Sequence, residues 1–464
     1  MPKNKNFAAV VLAAGLGTRM KSDLPKVLHY LGDMSLVERA IRKIALLGPE
    51  KIIVITGHKA ELVEAELKKR LGPEILARTV FIRQKLLKGS GRAVQEALPL
   101  IRRHEHALVL CGDAPLFRAA TIRKMRDVYV RTGADCLVMT ADLENPGSYG
   151  RIKRDHSGAV AAIIEADGAD EWERAIKEVN SGTYFFRVKA LAAAVKDLQK
   201  KGSKGEYYLT DAVENVISAG GKAAAFKLDD ATEMTGINSR ADLAAAYAML
   251  TARKAADLMA AGVTIMDPAA TYIEESVQVG RDTVIYPGVF LKGETVIGRD
   301  CRIGPAGVIE SCRIDDGAVI KYSCALENSR VREGAIVGPF ARLRPLSDIG
   351  PKAEIGNFAE VKKSRIGRGS KMHHHSYVGD TEMGEKVNIG AGTITCNYDG
   401  VHKNRTVLGA GAFIGSNTNL VAPVKIGPGA YTAAGSTITE DVPGGRLAIA
   451  RARQVVKELK KRPK

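Results

Sequence analysis

A glycine-rich stretch with two basic residues, LAAGLGTRMKSDLPK at 12–26, is the part of the sequence best suited to phosphate chemistry. It follows the apolar run Ala8–Val11, so a buried strand would lead into a tight turn. Its glycines allow backbone N–H groups to approach an anion, and Arg19 and Lys26 supply positive charge. A dinucleotide fingerprint needs a third glycine and a P-loop needs G-K-[ST], so the stretch is neither of these. A strand-to-helix turn without a ligand is the alternative.

Two more clusters carry groups that could bind metals or move protons. Asp113 lies two residues after the apolar run Ala107–Cys111 and could hold a divalent metal over phosphates, although a turn or helix N-cap aspartate is the alternative. Three consecutive histidines could also suggest a metal site. Alternation along a strand sends His373 and His375 to the face opposite His374, so we disfavour that interpretation.

Alternating β-branched runs and helical stretches as far as residue 240 predict the elements that position the first two clusters. The predicted strands are Ala8–Leu12, Lys51–Thr56, Thr79–Arg83, Ala107–Cys111 and Asp135–Thr140. The predicted helices are Leu36–Leu47, Ala60–Leu71, Gly91–Leu100 and Ala119–Arg131. This alternation predicts a mostly parallel sheet covered on both faces, with ligands beyond the carboxyl ends of its strands.

A six-residue period replaces the helical signal in the second half of the chain. Aliphatic residues recur at 279, 285, 291, 297, 303 and 309, and after one-residue slips at 314–326 and at 331–361. Each hexapeptide predicts a short strand and a turn, and three of them form a coil of ~18 residues with the aliphatic side chain inside. The period breaks at about 399–409 and resumes at Ile414, so we expect a projecting loop there. Such a solenoid can also serve only as an oligomerisation platform.

The composition narrows the classes of function. The chain has 464 residues, enough for two or three domains, and 69 Lys and Arg against 52 Asp and Glu leave a net charge of +17. This charge favours phosphorylated small molecules or nucleic acid, but an aromatic content of 5% weakens the case for base stacking. Solvated surface charge is the alternative. Six cysteines without a CxxC pair disfavour a zinc ribbon or disulfide scaffold. Without a signal-peptide core or long apolar run, we expect a cytoplasmic protein that binds no membrane. Because of the low aromatic content, we also expect no nucleic-acid partner.

Motifs along residues 7–240 share their order and spacing with one enzyme family. They are LAAGLGTRM…LPK, Gln84, Gly89-Ser90, Gly112-Asp113, SYGRI at 148–152, Glu165, EVNSG at 178–182, GEYYLTD at 205–211 and GIN at 236–238. This half resembles the sugar-nucleotide pyrophosphorylases, in particular the uridylyltransferase half of the bacterial bifunctional N-acetylglucosamine-1-phosphate uridylyltransferase/glucosamine-1-phosphate acetyltransferases.

The resemblance implies that a sugar 1-phosphate oxygen attacks the α-phosphorus of UTP and releases pyrophosphate. Charge neutralisation would then come from Mg²⁺, held by Asp113 and Asn238, and from Arg19 and Lys26 on the phosphates. The residues implied on the uridine side are Leu12, Ala13, Ala14, Gly15, Gln84, Gly89 and Ser90. Those implied around the sugar are Gly150, Glu165 and Asn180.

Three positions in this half depart from the family pattern. Ser90 replaces threonine, Arg92 replaces histidine, and Cys111 stands where the most similar relatives have tyrosine. The segment after Glu165 lacks a lysine often found there. These departures bear on nucleotide affinity and base preference, and they leave the metal and phosphate groups in place.

The second half resembles the acetyltransferase half of the same bifunctional family. The motifs are GPFARLRP at 338–345, GNFAEVKK at 356–363, GSKMHHHSYVGD at 369–380, NIGAGTITCNYDG at 388–400, GSNTNLVAP at 415–423 and IARARQ at 449–454. The implied reaction needs a base, aligned here to His374, to deprotonate the 2-ammonium of glucosamine 1-phosphate so that the amine attacks acetyl-CoA. His373, where relatives carry glycine, is a further departure.

The remaining implied roles concern the two substrates of acetyl transfer. The sugar-phosphate contacts would be Arg344, Lys362, Tyr377 and Asn388. The acetyl-CoA contacts would be Ala391, Asn397, Tyr398, Ser416, Ala434 and Arg451. The family forms homotrimers with acetyl-transfer sites between chains, so the resemblance implies the same here. The basic tail KELKKRPK is expected to be disordered.

The predicted fold class is therefore α/β, a Rossmann-like nucleotidyltransferase domain at 1–239 followed by a left-handed parallel β-helix at 263–464. A linker helix at 240–262 joins them, and the left hand comes from the resemblance alone. The predicted function is bifunctional synthesis of UDP-N-acetylglucosamine, which feeds peptidoglycan and lipopolysaccharide precursors. The alternatives are a single-function nucleotidylyltransferase with an oligomerising β-helix, and a non-enzymatic nucleic-acid or scaffold protein.

Overall fold

A computed structural model describes residues 7–200 and 205–458, and these form two compact units, Met1–Met249 and Leu250–Lys464. The N-terminal MPKNKN and the last six residues of the basic tail lie outside the described residues. The long helix Arg240–Ala260 extends from the first unit into the second. None of the helices among the described residues is long and apolar enough to cross a membrane.

The first unit is built on a nine-stranded sheet whose main path runs β11-β7-β10-β6-β1-β4-β5. Its central strand β1 is buried along almost its whole length, because FAAVVLA has no polar side chain. A separate pair, β2 and β3, forms a small hairpin. The strands among the described residues of this unit are β1 Phe7–Ala13, β2 Tyr30–Leu31, β3 Met34–Ser35, β4 Lys51–Thr56, β5 Thr79–Arg83, β6 His106–Cys111, β7 Cys136–Asp142, β8 Arg151–Arg154, β9 Val160–Ile164, β10 Glu178–Arg187 and β11 Ala223–Lys227.

Helices pack against both faces of this sheet, and a separate hydrophobic cluster lies on each side. Short 3-10 turns at Thr18–Met20 and Lys26–Leu28 follow β1. The helices are α1 Leu36–Ala45, α2 Ala60–Arg70, α3 Pro73–Leu76, α4 Ser90–Ile101, α5 Ala119–Thr132, α6 Glu171–Arg174, α7 Val188–Ala194, α8 Thr210–Ser218 and α9 Arg240–Ala260. All five predicted strands and all four predicted helices are present, with ends within two residues of those predicted.

The sheet departs from the simple parallel prediction at β10. This strand lies between β6 and β7 and is antiparallel to both, and it also pairs with β8. The segment NSGT at 180–183, with a glycine and three polar residues, interrupts the apolar run that marks buried parallel strands. A bulge between Asn180 and Tyr184 coincides with that interruption.

The second unit is a parallel β-helix made of three sheets. One sheet contains Thr264–Ile265, Val284–Ile285, Arg302–Ile303, Val319–Ile320, Ile336–Val337, Glu354–Asn357, Lys371–His374, Asn388–Ile389, Phe413–Ile414, Tyr431–Thr432 and Leu447–Ala448. The next contains Tyr272–Ile273, Phe290–Lys292, Val308–Glu310, Ala325–Glu327, Arg342–Leu343, Glu360–Lys362, Tyr377–Gly379, Ile394–Cys396, Asn419–Val421 and Thr437–Ile438. The third contains Gln278–Val279, Val296–Ile297, Arg313–Ile314, Arg330–Val331, Asp348–Ile349, Arg365–Ile366, Thr381–Met383, Thr406–Leu408 and Val424–Ile426. We call them the first, second and third sheets.

The six-residue period corresponds to the interior of this helix. Aliphatic residues such as Ile285, Ile303 and Ile320 occupy matched positions on successive coils and are fully buried. They form one continuous hydrophobic core with the inward residues of the other two sheets. The predicted interruption is a loop between Ile394–Cys396 and Thr406–Leu408, closed by a backbone bridge between Tyr398 and Lys403. The prediction of a β-helix with a projecting loop is confirmed.

Candidate active sites

The first candidate site lies where β1, β4, β5 and β6 reach their carboxyl ends. Leu12 is paired with Cys111, and the Gly112 N–H donates to the Leu12 carbonyl oxygen at 2.9 Å. Ala13 is buried, Ala14 is half-buried and Gly15 is exposed at the start of the glycine loop. The loop therefore leaves the sheet beside the segment that carries Asp113.

Lys26 is the centre of this site. Its ammonium donates to Oδ1 of Asn238 at 2.9 Å and makes an ion pair with Oδ2 of Asp113. Gly17 makes this placement possible, since it has a φ of +64° and a Cβ there would lie 2.5 Å from Cβ of Lys26. Arg19, the other basic residue of the stretch, is exposed on the 3-10 turn.

Backbone hydrogen bonds hold Asp113 and Asn238 next to each other although 125 residues separate them. The Ile237 N–H donates to the Asp113 carbonyl oxygen at 2.9 Å. Oδ2 of Asp242 accepts from the N–H groups of Asn238 and Ser239, both at 2.9 Å. These bonds form a helix cap at the start of α9, and they lower the pKa of Asp242 despite an opposing contribution from burial. Sequence reasoning missed Asp242, although Ser239-x-x-Asp242 is a capping-box signal.

The two oxygens that meet at the Lys26 ammonium fit a magnesium site. Mg²⁺ takes oxygen ligands and is commonly held by one or two protein side chains together with phosphate oxygens and water. Asp113 and Asn238 offer two such oxygens around one point. No cluster of three or more His, Cys, Asp or Glu side chains suited to a metal occurs within 7–200 and 205–458. The donor set therefore suits a metal that shares its shell with a phosphorylated substrate.

The predicted uridine side is a loop that α8 holds in place. The Gln84 side chain is buried and donates to the carbonyl oxygens of Leu86 at 2.9 Å and Gly89 at 3.2 Å. Ser90 Oγ accepts from the Leu209 N–H at 3.1 Å, at the start of α8. Gly89 has a φ of +93° and a Cβ there would lie 2.4 Å from a backbone oxygen, so only glycine fits. Ser90 thus supports the loop through its hydroxyl.

Of the predicted sugar residues, Gly150 directly precedes β8, Glu165 directly follows β9 and Asn180 lies on β10. The Asn180 N–H donates to the Gly150 carbonyl oxygen at 2.8 Å, and its side-chain amide donates to Tyr184 Oη at 2.7 Å. Glu165 lines a cleft of about 790 Å³ and accepts from Thr210 Oγ1 at 2.7 Å. Burial raises the pKa of the Glu165 carboxyl, and the Thr210 hydrogen bond opposes that shift.

Cys111 lies close in sequence to the predicted metal ligand Asp113 and close in space to β10, which carries the predicted sugar residue Asn180. Its Sγ would lie 3.4 Å from a Cβ placed on Gly182, which follows Asn180 in β10. Burial, followed by the charge of Asp113, raises the pKa of the Cys111 thiol to about 12. The thiol is therefore uncharged at neutral pH.

The second candidate site is a column of residues at the corner between the first and second sheets of the β-helix. His374, Ala391, Ser416 and Ala434 each lie two residues after a matched residue of the first sheet. Backbone hydrogen bonds of 2.7 Å from Asn417 to Ala391 and from Gly435 to Ser416 hold successive turns together. The Arg451 guanidinium donates to the Ala434 carbonyl oxygen at 2.7 Å. The predicted base and four of the six predicted acetyl-CoA contacts thus form one line, which is exposed except at half-buried Ala391.

The prediction that strand alternation separates His373 from His374 is wrong. Their ring centroids lie 6.0 Å apart, and only Met372 of this strand faces the interior. The strand ends at His374, and His375 enters a turn with a φ of +37°, so simple alternation does not apply. His373 donates a hydrogen bond to Glu354 at 2.8 Å. Burial by itself would raise the pKa of Glu354, but the hydrogen bonds from His373 and Lys371 outweigh burial and lower that pKa.

A cationic cluster lies where the strand Glu360–Lys362 of the second sheet ends. The Lys403 side chain lowers the pKa of Lys362, and burial and the Arg344 charge add to this effect. Arg344 donates to Glu360 at 3.0 Å. Sequence reasoning identified Arg344 and Lys362 but missed Lys403, because that residue lies in the loop where the period is broken. Three neighbouring cations of this kind suit a phosphate.

The remaining predicted sugar-phosphate and acetyl-CoA contacts of the β-helix do not share one surface. Tyr377 Oη and Asn397 Nδ2 come within 3 Å of a Cβ placed on Gly379. Asn397 is buried and donates to Asp380 at 2.6 Å, whereas Tyr398 is exposed at the base of the projecting loop. Asn388 lies on the first sheet, paired with Lys371. The four predicted sugar-phosphate residues are therefore divided between two sheets within one chain.

Comparison with known proteins gave matches over nearly the whole chain. Residues 9–203 match the MobA-like NTP transferase domain family, and residues 405–440 match the bacterial transferase hexapeptide family. The chain is 47% identical to the bifunctional protein GlmU of Geobacillus sp. (strain WCH70), over 97% of this chain and 96% of that protein. Identity is also 47% to that of Heliobacterium modesticaldum, with the same coverage, and 43% to that of Koribacter versatilis, over 99% and 97%.

Solved structures also resemble part of the chain. A UDP-glucose pyrophosphorylase complexed with UDP-glucose aligns with a TM-score of 0.42 at 19% identity, over 52% of this chain and 96% of that one. Its apo form aligns with a TM-score of 0.44 at 19% identity, over 53% and 98%.

Proposed function

The chain belongs to the bifunctional GlmU family, and from this premise we propose that it makes UDP-N-acetylglucosamine in two steps. The β-helix would transfer an acetyl group from acetyl-CoA to glucosamine 1-phosphate. The first unit would then transfer a uridylyl group from UTP to the resulting N-acetylglucosamine 1-phosphate. Family membership and the nucleotidyltransferase and hexapeptide matches support assigning uridylyl transfer to the first unit and acetyl transfer to the β-helix.

In the uridylyl step, a phosphate oxygen of the sugar attacks the α-phosphorus of UTP, and pyrophosphate leaves as a P–O bond breaks. Mg²⁺ held by Asp113 and Asn238 would supply charge neutralisation for the phosphates. Lys26 would donate hydrogen bonds to the phosphates once its ammonium leaves these two oxygens, and exposed Arg19 would add a second cation. Gly150, Glu165 and Asn180 would orient the sugar.

In the acetyl step, His374 would remove a proton from the 2-ammonium of the sugar. The free amine then attacks the thioester carbonyl, a C–N bond forms, the C–S bond breaks, and the sulfur takes a proton. Ala391, Ser416, Ala434 and Arg451 would hold acetyl-CoA along the corner above His374.

This corner is the observation that carries the proposal. A β-helix used only for oligomerisation has no need of an exposed histidine at the foot of a column of small residues that ends in an arginine. An extended thioester ligand with terminal phosphates needs such a surface, since small residues permit close approach and Arg451 suits a phosphate.

We also propose a homotrimer whose acetyl-transfer sites lie between chains. Asn388 lies on the first sheet, while Lys362 and Tyr377 lie on the second and Arg344 follows a strand of the second. Two sheets of one triangular coil face different directions, so a partner chain is needed to bring all four around one sugar phosphate.

The test is an incubation of the full chain with glucosamine 1-phosphate, acetyl-CoA, UTP and Mg²⁺, from which each component is omitted in turn. We expect thiol release without UTP, and pyrophosphate release only when acetyl-CoA, UTP and Mg²⁺ are all present. If pyrophosphate release with N-acetylglucosamine 1-phosphate is normal but no thiol is released, the single-function alternative holds. Salt-sensitive binding of a random DNA duplex without either turnover would favour the non-enzymatic alternative.

A further inference from the structure

The coil below His374 holds a polar side chain that none of the roles described above uses. Asn357 ends the strand Glu354–Asn357 and is paired in register with His374, which ends the next strand of the same sheet. Its Oδ1 lies 3.0 Å from Nδ1 of His374. The turn is held in addition by the His375 N–H, which donates to the Asn357 carbonyl oxygen at 3.0 Å.

A carbonyl oxygen can only accept a hydrogen bond, so Nδ1 of His374 must carry the proton in this contact. The neutral imidazole then has its lone pair on Nε2, and the ring orientation is set by Asn357. The predicted general base needs that lone pair on Nε2. In the other neutral tautomer the lone pair is on Nδ1, which faces Asn357 and not the incoming sugar ammonium.

We propose that Asn357 is a positioning residue for acetyl transfer, which holds His374 in the Nδ1-protonated tautomer and points Nε2 toward the amine. The inference rests on the proposed acetyltransferase function. In a catalytic triad, the carboxylate holds the histidine in one tautomer and one orientation by accepting a hydrogen bond from Nδ1–H. Asn357 would do the same for His374.

Other charged groups near His374 do not make this contact. On its own strand, Lys371 and His373 both bind Glu354 of the coil below, at 3.3 and 2.8 Å. His375 follows in the turn, and the coil above contributes the uncharged Asn388 and Ala391. Glu354 is therefore a suitable control, because it lies on the same strand as Asn357 and binds the neighbouring histidine.

The experiment compares Asn357→Leu, Asn357→Asp and Glu354→Gln in the full chain. Asn357→Leu keeps the size of the side chain and removes the acceptor, so kcat for acetyl transfer should fall about 10- to 100-fold with little change in KM. Asn357→Asp can only accept, so it should keep most of the activity. Its negative charge favours the protonated imidazole, and the acid limb of the kcat/KM profile should move up by about one pH unit.

The controls separate positioning from folding. Glu354→Gln should leave the acid limb within a few tenths of a pH unit, because exposed charges at this range are screened. Thermal unfolding followed by circular dichroism reports whether the β-helix of each variant is folded, because pyrophosphate release would report only on the first unit. If the unaltered chain releases no thiol from acetyl-CoA, the proposed function fails. If it does, and Asn357→Leu is as active, or Asn357→Asp loses activity without a shift of the pH profile, the positioning role is refuted.

Discussion

At the scale of single residues, the chain keeps two kinds of chemistry on different side chains. Lys26, Asp113 and Asn238 meet at one point in the first unit, where we propose that charge is neutralised on phosphates. His374, the proposed base, lies in the second unit at the end of a strand and is exposed. Neither group contains a residue from the other unit, so each can be altered by itself.

Reciprocal substitutions test this separation. Asp113→Asn removes the carboxylate that would hold the metal, and we expect pyrophosphate release to fall at least about 100-fold while thiol release is unchanged. His374→Ala removes the base, and thiol release should fall about 10²- to 10⁴-fold while pyrophosphate release persists. Loss of both activities in either variant would contradict separate sites, and near-normal acetylation by His374→Ala would eliminate the proposed base.

At the scale of elements, short turns determine where the reactive groups point. The glycine loop after β1 brings Lys26 back over the sheet edge because Gly17 accepts a left-handed conformation against Cβ of Lys26. The capping box at the start of α9 does the same for Asn238. In the β-helix, fully buried aliphatic residues hold the coils in register, and this register stacks the corner column.

Gly17→Ala tests the loop. The left-handed φ and the contact with Lys26 should cost about 1–3 kcal/mol of stability and lower pyrophosphate release about 10- to 100-fold, because Lys26 is displaced. Gly15→Ala is the matched stability control, because nothing lies within 4 Å of a Cβ there. Thermal unfolding and the pyrophosphate assay measure both effects. Equal melting temperatures for the two variants would show that Gly17 does not constrain the loop.

Ile303→Ala tests the core of the β-helix. The side chain is fully buried, so the free energy of unfolding of this unit should fall by about 2–4 kcal/mol, measured by chemical denaturation followed by circular dichroism. Val308→Ala, on an outward face with the side chain 39% exposed, should change it by at most about 0.5 kcal/mol. A similar loss in both variants would mean that inward and outward positions are not distinguished energetically.

At the scale of the whole molecule, two units with separate cores carry the two predicted reactions. The net charge of +17 suits a protein whose proposed substrates are all anionic phosphates. Basic side chains are present where we expect phosphates in each unit: Lys26 and Arg19 in the first, and Lys362, Lys403 and Arg344 in the second.

The proposed assembly makes a prediction at this scale. Light scattering coupled to size-exclusion chromatography should find a species of three chains, each of 49.7 kDa, at micromolar concentration. Dilution to a monomer should abolish thiol release and leave pyrophosphate release unaffected, because only the acetyl site would need residues from a partner. A monomer with full thiol release would contradict the shared site.

The sequence by itself determined the features that depend on the spacing of nearby apolar residues. Period six, period 3.6 and short apolar runs each reflect which side of an element is buried, so the predicted strands, helices and inward residues of the β-helix agree with the structure. The order of short motifs was enough to identify the family and most candidate residues, including Lys26, Asp113 and His374.

Only the tertiary structure decided which distant groups meet. Lys26 binds an amide 212 residues away, β10 enters the sheet antiparallel, and Lys403 joins Lys362 from a loop outside the period. The rings of His373 and His374 lie beside each other because the strand ends at His374, and strand alternation does not predict this arrangement. Such contacts depend on the register between coils and on turn conformations, and these are set by packing across the whole unit, so no local pattern records them.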